Sequence, residues 1–309
     1  MKIDQENFAQ LVNRAMTNGN VTHMRAVVEK ELLHYDILFA LEKGGCLDSL
    51  VFQGGTSLRL CHGANRFSED LDFAGGKEFS SSILEKMKDC IEHYVGTRYG
   101  LEVTVKEPTQ LREDPKYSEL KIDKWQIAVV TAPGHKDLPK QKIKVEVANI
   151  PAYTKEPLPL QLNYDFLPDG YSDTLILTET LDEIMADKLV SLPATQKYVR
   201  NRDIWDLTWL KQQGAMVQAE LVQQKIADYK IEQFSQMLDQ RIASIPDIIE
   251  GDGFSNEMKR FTPTDVFDRT LGQDKFKQYI KMTVVNLLQE VKSQLYDKNK
   301  LEAEVEFKM

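Results

Sequence analysis

Two short stretches bring together side chains that could do phosphate chemistry. The first is VFQGGTSLRL, residues 51–60; the second is RFSEDLDF, residues 66–73. Read as strand, tight turn and helix, the first places Gly54 and Gly55 where the backbone must bend sharply and where a bulky group could lie close to it. A helix starting near Thr56 aims free N–H groups and a positive dipole end at such a group, and Thr56 and Ser57 add hydroxyls. An anionic phosphate suits that arrangement, although an ordinary glycine turn with an N-cap fits it too. The stretch is neither a Walker loop, GxxxxGK[ST], nor GxGxxG.

In the second stretch, strand geometry puts Ser68, Asp70 and Asp72 on one face, with Leu71 and Phe73 directed at the core. Two residue steps set the aspartate Cα atoms ~7 Å apart. Two carboxylates on one strand face repel each other, and a magnesium ion would resolve that conflict; a solvated strand face accounts for the same spacing. A third acid stands in KIKVEVA, residues 142–148, where Lys144 and Glu146 alternate with Val145 and Val147. If that strand lies beside residues 66–74, Glu146 completes a set of three; otherwise it is an exposed partner of Lys144. Three carboxylates holding two Mg²⁺ ions near a phosphate-gripping helix end are the apparatus of phosphoryl or nucleotidyl transfer from a nucleoside triphosphate.

The elements that must position these residues follow from periodicity. Residues 1–48 read as helical, with Gly44-Gly45 stopping the second helix. Short strands are expected over 47–53 and 66–74, and helices over 56–62 and 79–98. The stretches LEVTVKE, SELKIDKWQIAVVTA and KQKIKVEVANI alternate as strands. Residues 151–173 read as an irregular, proline-bearing crossing, and the chain from 178 onward is mostly helical. The predicted fold is α+β: a mixed-sheet core over 1–150 with N-terminal helices, then a mainly helical domain over 151–309.

Composition bounds the answer. The 309 residues are 42% hydrophobic and 28% charged, ordinary for a globular protein, and no apolar run reaches the ~20 residues a membrane span needs. The start, MKIDQENFAQ, lacks the pattern of a secretion signal, so a cytoplasmic protein without a membrane partner is expected. Three cysteines without CxxC spacing, and five histidines without HxxxH or HExxH, argue against a disulfide framework or a zinc site. A net charge of −9 means that any nucleic acid must meet a local basic patch. Lys188, Lys197, Arg200 and Arg202, with no acid between 188 and 202, form one such island; Tyr198 within it could stack a base or pack. Arg202 and Asp206 stand four apart and are placed to pair. Trp205 and Trp209 read as core residues.

Taken in order, GGTSLR at 54–59, RFSEDLDF at 66–73, ADKLVSL at 186–192 and RNRDIWDL at 200–207 resemble the AbiEii/AbiGii toxin branch of the nucleotidyltransferase superfamily related to DNA polymerase β. Pro193 departs from the pattern and is expected to end or kink its helix early; the segment 108–142 is a second departure. The resemblance implies an Mg²⁺-dependent nucleotidyltransferase that acts as a type IV toxin or in abortive phage infection, with RNA, for at least some relatives tRNA, as acceptor and a winged-helix antitoxin as partner. It implies Asp70, Asp72, Lys188 and Asp206 as catalytic residues, Lys188 on triphosphate oxygens beside Gly54, Gly55, Thr56, Ser57 and Ser68, and Asp70, Asp72 and Glu146 as metal ligands. Lys197, Arg200 and Arg202 would then contact RNA. Two other readings are a small-molecule nucleotidyltransferase of the antibiotic-modifying type, which calls for an acidic acceptor pocket, and a nucleotide-binding regulator without turnover.

Overall fold

The structure is a computed structural model that describes residues 5–17, 19–108, 120–135 and 137–297. Parts of the 108–142 segment, including the start of the strand expected from Ser118, lie outside the described residues. The chain divides into two compact units, 1–179 and 180–309.

The first unit opens with α1 (Phe8–Ala15) and α2 (Arg25–Lys43), the latter ending at Gly44 as the diglycine predicts. Then come β1 (Val51–Gln53), α3 (Gly54–Leu60), β2 (Leu71–Ala74), α4 (Met87–Tyr99), β3 (Val103–Lys106), β4 (Ile122–Val129), β5 (Gln141–Ala148), β6 (Glu156–Pro159) and β7 (Leu175–Thr178). Among the described residues the seven strands form one mixed sheet in the order β3-β4-β5-β2-β1-β7-β6. One face is apolar row by row: Val105, Ile127 and Ile143; Trp125, Val145 and Leu71; Val147, Phe73 and Phe52 are cross-strand neighbours. All nine are almost fully buried. The pleat sends the alternating residues of each strand, among them Gln53, Asp72, Gln126 and Glu146, to the other face, which carries the polar residues.

Several expectations shift. The first unit runs to Glu179 rather than ending near 150, because β6 and β7 join the sheet: β7 pairs in parallel with β1 at Phe52 and Thr178, and the Glu179 N–H donates to the Phe52 carbonyl at 3.0 Å. Residues 79–98 are not one helix; a 3₁₀ turn over Ser81–Leu84 precedes α4, which Gly100 caps with φ +62°. β2 starts at Leu71, so Ser68 and Asp70 lie in the loop that leads into it.

Buried polar contacts tie the helices together. Asp36 on α2 accepts from the Tyr99 hydroxyl at 2.8 Å and from Tyr171, and lies 3.4 Å from Arg98 of α4. Burial raises its pKa, with Arg98 and the two hydroxyls opposing.

The second unit is helical: α5 (Leu181–Ala194), α6 (Asn201–Gln212), α7 (Ala219–Asp228), α8 (Phe234–Glu250), α9 (Asp252–Phe261), α10 (Thr264–Arg269) and α11 (Asp274–Lys292). α5 packs against α6, α7 and α8. Pro193 does not end α5 early; it sits in the last turn, one residue before the helix finishes. Trp205 and Trp209 are core residues, as expected. Lys225 on α7 is wholly buried, 2.8 Å from an equally buried Glu183 and 3.1 Å from Asp187, both on α5.

Candidate active site

In the first unit the site is built where β1 ends. Gln53 is extended, and Gly54 turns the chain with φ +78°, a left-handed conformation that a side chain would strain. That bend starts α3. Arg59 of α3 forms a two-pronged pair with Glu31 of α2, at 2.8 and 3.0 Å, which fixes the short helix against its neighbour. The Thr56 hydroxyl donates to the Asp70 carbonyl and so ties the helix start to the loop before β2. The same loop is held from α2 by Lys30, 2.8 Å from the Glu69 carboxylate, and by His34, whose Nε2 lies 3.0 Å from the Glu69 carbonyl. Burial pushes the His34 imidazole down to about 4, so Nε2 donates from a neutral ring at neutral pH.

The carboxylates then fall on the polar face. Asp72 stands opposite Gln53 on one side and Glu146 on the other, the second pairing being parallel and in register. The conditional placement of Glu146 is therefore met: β5 is the direct neighbour of β2. The Asp72 carboxylate leans onto the bend, since a Cβ built on Gly54 would stand 3.0 Å from its Oδ2. Asp70 precedes the strand and turns toward β5, where its Oδ1 accepts the Lys144 N–H at 3.2 Å and its Oδ2 lies 3.6 Å from the Lys144 ammonium. Glu146 does not pair with Lys144; its Oε1 accepts from Lys124 at 3.0 Å.

Not every expected ligand group is open to solvent. Thr56 and Ser57 are buried, and Ser68 packs its Oγ 3.0 Å from a Cβ position on Gly55. The room above Gly55 is occupied by Arg66, whose Nη2 would be 2.5 Å from that Cβ. Arg66, buried and donating to the Phe67 carbonyl at 2.9 Å, opens the RFSEDLDF motif, but no role for it followed from the sequence.

Among the described residues, no three His, Cys, Asp or Glu side chains are gathered as a ready-made cation cage. The donor set nevertheless fits a hard divalent ion: carboxylate oxygens from adjacent strands, sharing a face, with two lysine ammoniums now supplying the positive charge that such acids require.

The second unit holds another charged cluster. Lys188 on α5 is buried, with its ammonium 3.0 Å from Asp203 Oδ1 and 2.6 Å from Asp206 Oδ2 on α6. Asp203 also accepts from Ser191 at 3.0 Å and from Arg200. Burial alone would raise the Asp203 pKa, but Lys188 and Arg200 outweigh it and hold the carboxyl well below the usual range. Nothing in the sequence marks Asp203 as the partner of Lys188, because a contact between helices leaves no local pattern. Of the basic island, Arg200 is thus drawn into this cluster, and Arg202 lies 3.5 Å from Glu257 and over the Phe261 ring. Lys197 and Tyr198 are exposed, so Tyr198 does not pack.

The mixed sheet carries a diglycine bend, an acid-x-acid pair and, in register with Asp72, a third acid, the arrangement that the sequence led us to expect of a nucleotidyltransferase. A profile of the family described as "Nucleotidyl transferase AbiEii toxin, Type IV TA system" matches residues 36–295, and the chain belongs to that family. The fold is similar to that of the nucleotidyltransferase toxin MenT4 from Mycobacterium tuberculosis H37Rv, at 18% identity and a TM-score of 0.52, over 91% of this chain and 90% of that one. Two Helicobacter pylori structures, JHP933 and a putative nucleotidyltransferase, align at 17% and 18% identity with TM-scores of 0.45 and 0.46; they cover 91% and 88% of this chain and 97% and 96% of theirs. No curated protein matches the sequence. No helix among the described residues is long and apolar enough to cross a membrane.

Proposed function

We propose that the protein transfers a nucleotide from a nucleoside triphosphate to an RNA acceptor, tRNA foremost, with Mg²⁺ at Asp70, Asp72 and Glu146. The observation that carries this reading is Asp72 set between Glu146 and the Gly54 bend, on the polar face of the sheet. Bound there, the metal would neutralise triphosphate charge and lower the pKa of the attacking hydroxyl. In the transfer, an acceptor hydroxyl oxygen bonds to the α-phosphorus, the bond from that phosphorus to the α,β-bridging oxygen breaks, pyrophosphate departs with the electron pair, and the hydroxyl proton passes to water. Gly54 seats the Asp72 carboxylate against the bend, and Gly55 makes room for the buried Arg66 guanidinium, whose positive charge would stand beside the phosphates. Thr56 serves by holding the loop that carries Asp70, through its bond to the Asp70 carbonyl. Lys188 and Asp206 form a preformed pair within the second unit. Lys197, the exposed member of the basic island, is available to an RNA phosphate. As a type IV toxin the protein would be countered by a cognate antitoxin, and its cellular role would include phage defence.

The test is direct. Purified protein is incubated with each α-³²P-labelled triphosphate, MgCl₂ and total RNA, and the labelled product is resolved on a gel. A labelled RNA band that disappears with EDTA and in Asp72→Ala is expected. Transfer that survives in Asp72→Ala would remove the carboxylates from the mechanism, and label found only on small molecules would remove the RNA acceptor.

A further inference from the structure

The polar face does not stop at the three acids. Across β4 and β3 it continues as a second row, in which Lys106 faces Gln126 and Gln126 faces Lys144. Lys124 stands in the row below, opposite Glu146 and hence in line with Asp72. Cross-strand partners share a face, so these lysines and the site acids lie on one continuous surface. At the β3–β4 end the surface folds into a cleft of about 620 Å³, lined by Lys106, Lys121, Lys124 and Lys144 against two acids, Glu107 and Asp123. The Lys124 and Lys144 side chains are about half exposed, at 57% and 49%.

We infer that this lysine face binds the phosphate backbone of the acceptor polynucleotide and leads it to the carboxylates. The inference rests on the RNA-transfer reading above and adds the path by which the RNA arrives. Charge is the first argument. In a chain of net −9, four lysines around one cleft are a local exception of the sign a polyanion needs. Reach is the second. From β5 to β3 the face extends two strand spacings, roughly 10 Å, beyond the acids. A triphosphate seated at Asp72 has no use for charge so far away, whereas a chain that continues past the reacting hydroxyl does. Continuity is the third. Lys144 touches Asp70 and Lys124 touches Glu146, so the basic row begins where the acidic set ends. Within the island at 188–202, Lys188 and Arg200 are held by Asp203 and Arg202 is drawn to Glu257.

The experiment measures binding of fluorescein-labelled, unfractionated tRNA by anisotropy from 50 to 200 mM KCl. The proteins compared are the full chain, Lys106→Gln/Lys121→Gln, and Lys106→Arg/Lys121→Arg. The glutamine pair is expected to bind roughly tenfold more weakly, with a log–log salt slope shallower by about 1.4. The arginine pair should match the parent, and free triphosphate affinity should be the same in all three. If the glutamine pair fails to fold, Lys106→Gln alone should lower the slope by about 0.7. Parent-like affinity and slope in the glutamine proteins would overturn this face as the RNA path, while gel labelling of RNA would still stand. A parent that neither binds nor labels RNA would overturn the acceptor reading and this path with it. Lysine-dependent binding of poly-glutamate in preference to tRNA would assign the face to an acidic protein and overturn the inference.

Discussion

The carboxylate of Asp72 rests against the Cα of Gly54, close enough that a Cβ there would lie 3.0 Å from Oδ2. Gly54 also has φ +78°, so an added methyl group meets two penalties at once. Gly54→Ala is expected to cost about 1–2 kcal/mol from the left-handed backbone alone. The forced shift of Asp72 should lower nucleotide transfer at least tenfold. Denaturant unfolding and gel labelling measure the two effects. Parent-like transfer in a folded Gly54→Ala protein would show that the acid does not need this seat.

Asp72→Asn separates charge from shape. The amide fills the same space beside Glu146 and Gly54, so the melting temperature should stay within a few degrees of the parent. Transfer should fall by two or more orders of magnitude, since an amide is a poor ligand for a hard cation. A large drop in melting temperature would instead mark Asp72 as a structural acid.

Lys188 makes the opposite case. Its buried ammonium lies between Asp203 and Asp206, so Lys188→Met leaves two carboxylates without their principal partner and should destabilise the protein by about 3–5 kcal/mol. Adding Asp206→Asn to Lys188→Met should restore part of that loss, and urea unfolding of the double-mutant cycle reads the coupling. Additive single-mutant costs would mean that the pair is not coupled in solution.

His34 supplies a pH dependence with a defined sign. Its folded pKa, about 4, lies below the ordinary 6.5 because burial disfavours the imidazolium. The unfolded chain therefore binds a proton that the folded chain refuses. The contribution is fully present above pH ~6.5 and is lost progressively as pH falls toward 4, by about 3 kcal/mol in all. His34→Gln should flatten that portion of the stability–pH curve. Curves that stay parallel from pH 7 to 4 would contradict the assignment.

Much of the site was legible because strand parity is a local property. The alternation in DLDF puts Leu71 and Phe73 in the core and Asp72 on the polar face whatever else the chain does, and KVEV does the same for Glu146. Adjacency is different. Nothing local tells β2 that its parallel neighbour lies more than seventy residues on, so Glu146 remained conditional until Asp72 and Glu146 were found in register. Arg66 over Gly55, Asp203 beside Lys188, and Lys225 buried with Glu183 were invisible for the same reason. Each is a charge whose partner belongs to another element, and composition reads such residues as solvated. The strand at 175–178 was hidden by brevity, since four residues after an irregular crossing carry little periodic signal.

That late strand has a kinetic corollary. β1 gains its second neighbour only when Thr178 reaches Phe52, which requires about 125 more residues of synthesis. At ordinary elongation rates this takes roughly 6–25 s, and a pairing so distant along the chain is also slow to close. A nascent chain on the ribosome thus carries its glycine bend half-clamped throughout those residues' synthesis. That interval is the one in which chaperone capture or proteolysis would act most readily on the toxin.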